Sequence, residues 1–498
     1  MLFSHLQKTA GFAPPASGLH VQDSFVSYAD MAKRVEHLAA GFLSLNMERG
    51  ARIAIFMPNG PDFFMVTYAL ASLGAIAVPV NEVSGNAELE WLAEQCDFAA
   101  IIAASEWLAP ADKLARYGAR DTTPIITLSH LENSKPSIEK LLDTPPEILP
   151  DLGPETVASY LLSSGSTGRP KLVPHTHGQL IACAEIASTS LNLTPDDMIL
   201  NALPAHHAFG FLNGCFEVMS AGASTYYWAD PGPLILSRKR FIDLLKRAKI
   251  TVMPGVPYIY QTLSQLRQSV HLPDLRLVYS SGIALKRPIF DAFQQRFNLT
   301  LFQGYGCTET GMISLNGAQG RHSPWNSVGR ASPGVEVEIL DMEGHAQNQL
   351  GIGELFVRTP ALIGGYVNAT PQQNASFVKG GYLTGDLGRF DADGNIFITG
   401  RTKLIIEVAG DKVDPLEVED ILCLSPQVAE AVVVGVSDPR TGEQRLKAFI
   451  VQRDEITSEQ LQAFCRSRMT GFKVPEIIEF IDKIPKSATG KVQRGKLI

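Results

Sequence analysis

"FFMVTYALASLGAIAVPV", Phe63 to Val80, carries no charged residue. A membrane-spanning helix needs about 20 apolar residues in a row. This stretch is broken by Gly74, has Pro79 near its end, and follows Pro61-Asp62, a pair typical of a helix start. It therefore reads as a buried helix ending at Leu73, a glycine stop, and a buried strand from Ala75. No membrane span is expected.

Outward from this stretch the same texture repeats. Short apolar runs, "RIAIFMP" (52–58), "AIAVPV" (75–80), "AAIIAA" (99–104) and "PIITL" (124–128), alternate with helical patterns such as "SYADMAKRVEHLAAGFLSL" (27–45). "ASYLLSS" (158–164), "LRLVYSSG" (275–282) and "LTLFQGYG" (299–306) continue the series. Such alternation predicts an α/β fold of mainly parallel sheets covered by helices. After about residue 330 short strands and turns take over ("VEVEIL", "GELFVR", "GNIFITG"), with Asp393-Gly394 as a hairpin turn. After Gly400 a small α/β unit follows: "KLIIEVAG", a helix from Pro415, "AEAVVVGV", "LKAFIV" and a helix from Ser458. The expected domains are residues 1–400, with 1–330 as α/β sheets and 331–400 as a β-rich subdomain, then a small C-terminal domain, 401–498.

The length of 498 residues requires two or three domains, and 45% hydrophobic with 19% charged residues is the balance of a soluble globular enzyme. A net charge of -8 argues against a nucleic-acid footprint. Six cysteines without a CxxC pair argue against a disulfide framework or a zinc site and fit a reducing compartment. The N-terminus lacks the basic-then-apolar order of a signal peptide, so a cytoplasmic protein is expected.

Four segments carry candidate chemistry. "SSGSTGRPK" (Ser163, Ser164, Gly165, Ser166, Thr167, Gly168, Arg169, Pro170, Lys171) follows a predicted strand. Its glycines let the backbone curve, and its hydroxyls, N–H groups and basic pair suit a polyphosphate. It does not fit the G-x-x-x-x-G-K-[ST] pattern of P-loop ATPases. "GYGCTETG" (304–311) offers the flat face of Tyr305, the hydroxyl of Thr308, and Glu309 as a hard oxygen ligand for magnesium. "YLTGDLGRFDADGNIFITGR" places Asp386 in a glycine-framed turn and Arg401 after a strand, where the aspartate could accept ribose hydroxyls. The terminal "IPKSATGKVQR" (484–494) presents Lys491 beside a glycine, and termini that serve nothing usually fray.

In their order along the chain, "SSGSTGRPK", "PAHHAFG", "GYGCTET", "GELFV", "YLTGD", "GRTKLIIEVAGDKVDPLEVE" and "PKSATGK" resemble the adenylate-forming superfamily. That family holds acyl- and aryl-CoA synthetases, adenylation domains of nonribosomal peptide synthetases, and firefly luciferase. The resemblance implies ATP, Mg2+ and coenzyme A as cofactors. The Ser163–Lys171 loop would hold the β- and γ-phosphates, Thr308 a phosphate and Glu309 the metal. Tyr305 would stack on adenine opposite the Ser281-Gly282 turn, and Asp386 and Arg401 would bind ribose. Lys403 would be the hinge of a mobile C-terminal domain, Gly410 would line the CoA channel, and Lys491 would reach the α-phosphate. Leu404 and Glu407 depart from the family's usual residues on the segment expected to serve the thiol step.

The same resemblance places His207 at the mouth of the acyl pocket, although a core histidine bonded to backbone is an equal reading. Phe209, Phe211, Gly214, Met253, Val256, Ser281, Gly282 and Gly304 are apolar or small and suit pocket walls or packed core alike. Amino-acid-activating relatives pair the substrate ammonium with an aspartate near the "PAHHAFG" segment. Here the first acidic residue is Glu217, so a plain carboxylic acid is favoured. The default acceptor is coenzyme A. An acyl-AMP ligase loading an acyl carrier protein, an amino-acid-adenylating enzyme and an inactive nucleotide-binding relative are the alternatives.

Overall fold

The computed structural model of the chain describes residues 1–118, 123–128, 137–163, 170–230, 232, 234–266, 269–317, 323–341, 344–346, 351–404, 406–408, 411–437, 444–486 and 492–497. They fall into two compact units. One runs from Met1 to Glu336 and takes in Val357–Tyr382, and the other contains Val337–Phe356 and Leu383–Ile498.

The stretch that opens the reading folds as a helix, Pro61–Ser72, followed by a strand, Ile76–Pro79. Proline sits in the first turn, where it removes no helical hydrogen bond. Every helix residue except Asp62 is buried, as expected for a helix that is apolar all round. The switch to strand happens at Gly74, whose φ of +71° lies in the left-handed region. A Cβ there would come within 3.0 Å of the Arg49 side chain.

Around this element lies a six-stranded sheet. Ile125–Thr127, Ala100–Ala103, Arg52–Phe56, Ile76–Pro79 and Val157–Ser163 run parallel, and Lys171–Thr176 closes one edge antiparallel. In the Arg52–Phe56 strand Ile53, Ala54, Ile55 and Phe56 are all buried, so both faces of the sheet are covered. The helices Asn86–Cys96 and Leu108–Tyr117 contribute Leu89, Leu92, Ala111 and Leu114 to the core on one face.

The second sheet of this unit has nine strands. At its centre Ser224–Tyr227, Met198–Asn201, Val252–Gly255, Leu277–Ser280 and Leu301–Cys307 run parallel. Gly311–Leu315 then turns back antiparallel. The helices Leu234–Arg247, Pro257–Ser264 and Arg287–Phe297 bury Phe241, Tyr260 and Phe293 against it.

In the second unit Asp386–Phe390, the end of the Gly381–Phe390 strand, pairs antiparallel with Ile396–Arg401 around the Asp393-Gly394 turn, where Gly394 has φ +77°. Beyond it Val428–Ser437, Gln444–Gln452 and Ile477–Phe480 form a three-stranded sheet, antiparallel then parallel. The helices Pro415–Cys423 and Ser458–Arg466 cover it, with Val418, Leu422 and Leu461 in the core. The described part of the tail is anchored. Val492 bridges to Lys486, Val492 and Leu497 pack on a cluster that includes Val434 and Phe449, and Arg494 pairs with the buried Glu419. Glu419 also accepts the Val433 N–H at 2.8 Å. Among the described residues no helix is long and apolar enough to cross a membrane.

Candidate active site

Parallel strands in an α/β sheet present their loops at the carboxyl ends, where ligands bind. In the nine-stranded sheet those ends carry Val256, Ser281, Gly282, Gly304, Tyr305, Thr308 and Glu309. The Leu277–Ser280 strand runs into Ser281 and Gly282, and its neighbour, Leu301–Cys307, ends in Gly304, Tyr305 and the 308–310 turn. Ser281 donates its N–H to Gly255 O at 2.9 Å, which ties this turn to the end of Val252–Gly255. Gly282 has φ +85° and is exposed, and a Cβ there would meet only Val256, at 3.8 Å. The register of the Leu301–Cys307 strand slips between Tyr305 and Gly306, a bulge that re-aims the side chains following it.

Glu309 is buried, with one carboxylate oxygen, Oε1, accepting a hydrogen bond from the Tyr366 hydroxyl at 2.7 Å. The Tyr382 hydroxyl lies 3.1 Å from that of Tyr366. Burial first, then the Glu309 charge, pushes both phenols well above their ordinary pKa, so both stay protonated. The Lys171 ammonium sits 4.0 Å from the centre of the Tyr366 ring, a cation–π arrangement. Thr308 is half-buried, and its carbonyl oxygen lies 2.9 Å from Nε2 of the buried His175. Lys171 and Glu309 come from the sequence reading. Tyr366, Tyr382 and His175 do not, because a tyrosine 57 residues after its carboxylate leaves no local pattern to read.

Ser163 and Lys171 stand opposite each other where Val157–Ser163 pairs antiparallel with Lys171–Thr176. Ser164, Gly165, Ser166, Thr167, Gly168 and Arg169 lie outside the described residues, as do Gly410 and Lys491. Lys403 belongs to the short 3-10 turn Thr402–Leu404.

His206 and His207 lie with ring centroids 4.3 Å apart. Burial holds both imidazoles below their ordinary pKa, His206 at about 3, so both are neutral near pH 7. The expected pocket residues divide into two sets. Phe209, Val256, Ser281 and Gly304 are half-buried and Gly282 is exposed, while Phe211, Gly214 and Met253 are enclosed. Phe211 packs against Phe63, Phe64 and Phe216, and a Cβ on Gly214 would strike the Phe64 ring. Behind them Leu212–Phe216 forms one π-helical turn, a feature common at functional sites. It is followed by Glu217, whose carboxyl is fully buried and pushed up to about 8 by burial.

In the second unit Asp386 and Arg401 stand opposite each other across the hairpin and form an ion pair at 2.6 Å. The Asp386 N–H is held by Thr384 Oγ1 at 3.1 Å, and Gly385 before it has φ +74°. The structure thus brings Lys171, Thr308 and Glu309 together in one unit and Asp386 and Arg401 together in the other.

The cysteines are all free. Burial raises the pKa of Cys96 and Cys183 to about 12 and also raises those of Cys215, Cys307 and Cys465.

Residues 7–367 match the family described as AMP-binding enzyme, and residues 417–491 match its C-terminal domain. The chain belongs to the AMP-binding enzyme family. Among its relatives is an oxalate–CoA ligase from Arabidopsis thaliana, 30% identical over 98% of this chain and 96% of that protein. A feruloyl-CoA synthase from an Amycolatopsis species is 28% identical over 98% of this chain and 97% of that one. Among solved structures, an anthranilate CoA ligase in complex with anthranoyl-AMP superposes with a TM-score of 0.86 at 25% identity, covering 99% of this chain and 96% of that one. The mixed α/β architecture with a large N-terminal and a small C-terminal domain is that of these AMP-binding enzymes.

Proposed function

We propose that this AMP-binding enzyme activates an organic acid with ATP and passes the acyl group to the thiol of coenzyme A. The chain is an AMP-forming acid–thiol ligase. In the first step a carboxylate oxygen attacks the α-phosphorus of ATP, the bond to the β-phosphate oxygen breaks, and pyrophosphate leaves. In the second the coenzyme A sulfur attacks the acyl carbon, the bond to the adenylate oxygen breaks, AMP leaves, and the thiol proton passes to solvent.

The observation that carries this reading is the grouping around Tyr366. A lysine ammonium lies 4.0 Å from its ring and a glutamate oxygen 2.7 Å from its hydroxyl, a cation and a hard oxygen donor on one support. A single held carboxylate suits magnesium, which is commonly bound through one or two carboxylates together with substrate phosphates. Bound through Glu309, the ion would neutralise charge on the phosphates. Lys171 and the 163–168 hydroxyls and N–H groups hold the β- and γ-phosphates, Thr308 contacts phosphate, and Tyr305 stacks on adenine across from Gly282. Asp386 and Arg401 bind the ribose. Lys491 stabilises the charge that builds on the reacting phosphoryl oxygens. Lys403 is the hinge at the start of a mobile 401–498 domain, and Gly410 lines the thiol path.

A plain carboxylic acid is the substrate class. At about 8 the Glu217 carboxyl is mostly neutral near pH 7, so it offers no fixed negative charge to a substrate ammonium. His207 stands at the pocket mouth, with Phe209, Val256, Ser281 and Gly304 as the half-open walls and Phe211, Gly214 and Met253 as their packed backing. The protein's place is the cytoplasm, where reduced thiols are the rule.

ATP–pyrophosphate exchange over a panel of acids tests the first step, and thioester formation with coenzyme A against a holo-carrier protein tests the second. Absence of exchange with every acid would overturn the reading, and thioester on the carrier protein alone would replace coenzyme A as acceptor. Lys491→Ala is expected to abolish exchange while sparing thioester formation from supplied acyl-adenylate.

A further inference from the structure

Tyr366 is the side chain on which two groups of the active site meet. It comes from Val357–Tyr382, a segment that packs with the first unit although strands of the second flank it in sequence. Its ring packs with Val173 and Ile363, and the Ile363 N–H donates to Glu309 O at 3.1 Å, so backbone and side chain of this segment both engage Glu309. The hydroxyl has one proton, and it is spent on Glu309 Oε1. Tyr382 must then donate its own proton to the Tyr366 oxygen, 3.1 Å away. The outcome is a directed chain, Tyr382 to Tyr366 to Glu309, that fixes one carboxylate oxygen and with it the orientation of the other. The face of the same ring holds the Lys171 ammonium.

We propose that Tyr366 is a positioning residue for the metal–nucleotide complex: its hydroxyl orients the Glu309 carboxylate toward the ion, and its ring face sets the Lys171 ammonium toward the phosphates. This rests on Glu309 as metal ligand and Lys171 as phosphate ligand. Residues that orient metal ligands commonly change metal affinity or activity by about 10- to 100-fold when removed. Tyr366→Phe separates the two functions, because it keeps the ring under Lys171 and removes only the hydroxyl. Tyr366→Leu removes both.

The test measures Mn2+ binding to the full chain in the presence of ATP, by the enhancement of water-proton relaxation over that of Mn2+–ATP without protein, and needs no acid substrate. Tyr366→Phe is expected to weaken Mn2+ binding roughly tenfold with little change in ATP binding measured without metal. Tyr366→Leu should weaken both. In pyrophosphate exchange the Tyr366→Phe loss should be recovered at high Mg2+, which lost packing alone would not allow. Tyr382→Phe, which acts one link further back, should give a smaller shift in the same direction and serves if Tyr366→Phe fails to fold. A lowered melting temperature with unchanged Mn2+ affinity in both phenylalanine variants would make the tyrosines structural only and overturn the proposal. Glu309→Gln separates the two layers. If it also leaves Mn2+ binding unchanged, the assignment of Glu309 falls and this inference with it. If Glu309→Gln weakens binding and the tyrosine variants do not, only the positioning role falls.

Discussion

Glu217 shows how one side chain can act against the stability of the protein that buries it. Its carboxyl has an ordinary value of 4.5 and is raised to about 8 in the fold. Between those two values the unfolded chain has released the proton and the folded chain has kept it, so stability falls as pH rises across the window. The full effect is on the order of 5 kcal/mol. Glu217→Gln removes the titration and keeps the shape. The difference in melting temperature between Glu217→Gln and the parent is therefore expected to grow in favour of glutamine from pH 5 to pH 8. A constant difference over that range would show that the carboxyl is not desolvated. The sequence shows the position of this acid but not its burial, since "CFEV" has no periodicity that distinguishes an inward glutamate from an outward one. Tyr366 was equally hidden.

At the scale of elements, Gly74 is the punctuation that turns an apolar run into a helix and a strand. Its φ of +71° costs any residue with a side chain about 1–2 kcal/mol. Gly74→Ala should lower the urea midpoint by at least that equivalent, with further loss where the added methyl meets Arg49. An unchanged midpoint would mean that the backbone shifts freely here. The five parallel strands of the six-stranded sheet, and Leu277–Ser280 and Leu301–Cys307 in the larger one, were legible because continuous apolar runs bounded by Gly and Pro read as buried strands, whereas Met198–Asn201, Ser224–Tyr227 and Val252–Gly255 were not picked out. The 208–221 segment was less so, since a short helix, a π turn and a second helix follow one another there without a break in composition. The Val157–Ser163 strand was legible as the strand before a glycine-rich stretch. The antiparallel strand that follows it, Lys171–Thr176, was not, because it contains Pro174 and little apolar alternation.

For the whole molecule, the order of seven motifs carried the family from sequence, and matches to relatives over 98% of the chain agree with it. The return of Val357–Tyr382 to the first unit was beyond reach, because it depends on long-range partners such as Glu309 and Val173. In the proposed two-step reaction Lys491 would act in the first step and withdraw before the second, with Lys403 as the point of flexure. Lys403→Pro fixes φ and removes an N–H donor. It is expected to slow thioester formation more than pyrophosphate exchange, measured separately on the same preparation. Equal rates for the parent and the variant in the second step would move the hinge elsewhere.

An enzyme that makes mixed anhydrides must avoid reacting with its own product. Sulfur attacks as thiolate, and burial holds five of the six cysteines above their ordinary pKa. These thiols stay protonated near neutral pH and behave as small apolar fillers. Packing thus keeps these five sulfurs in the form that attacks an acyl group least, which closes one route to self-acylation.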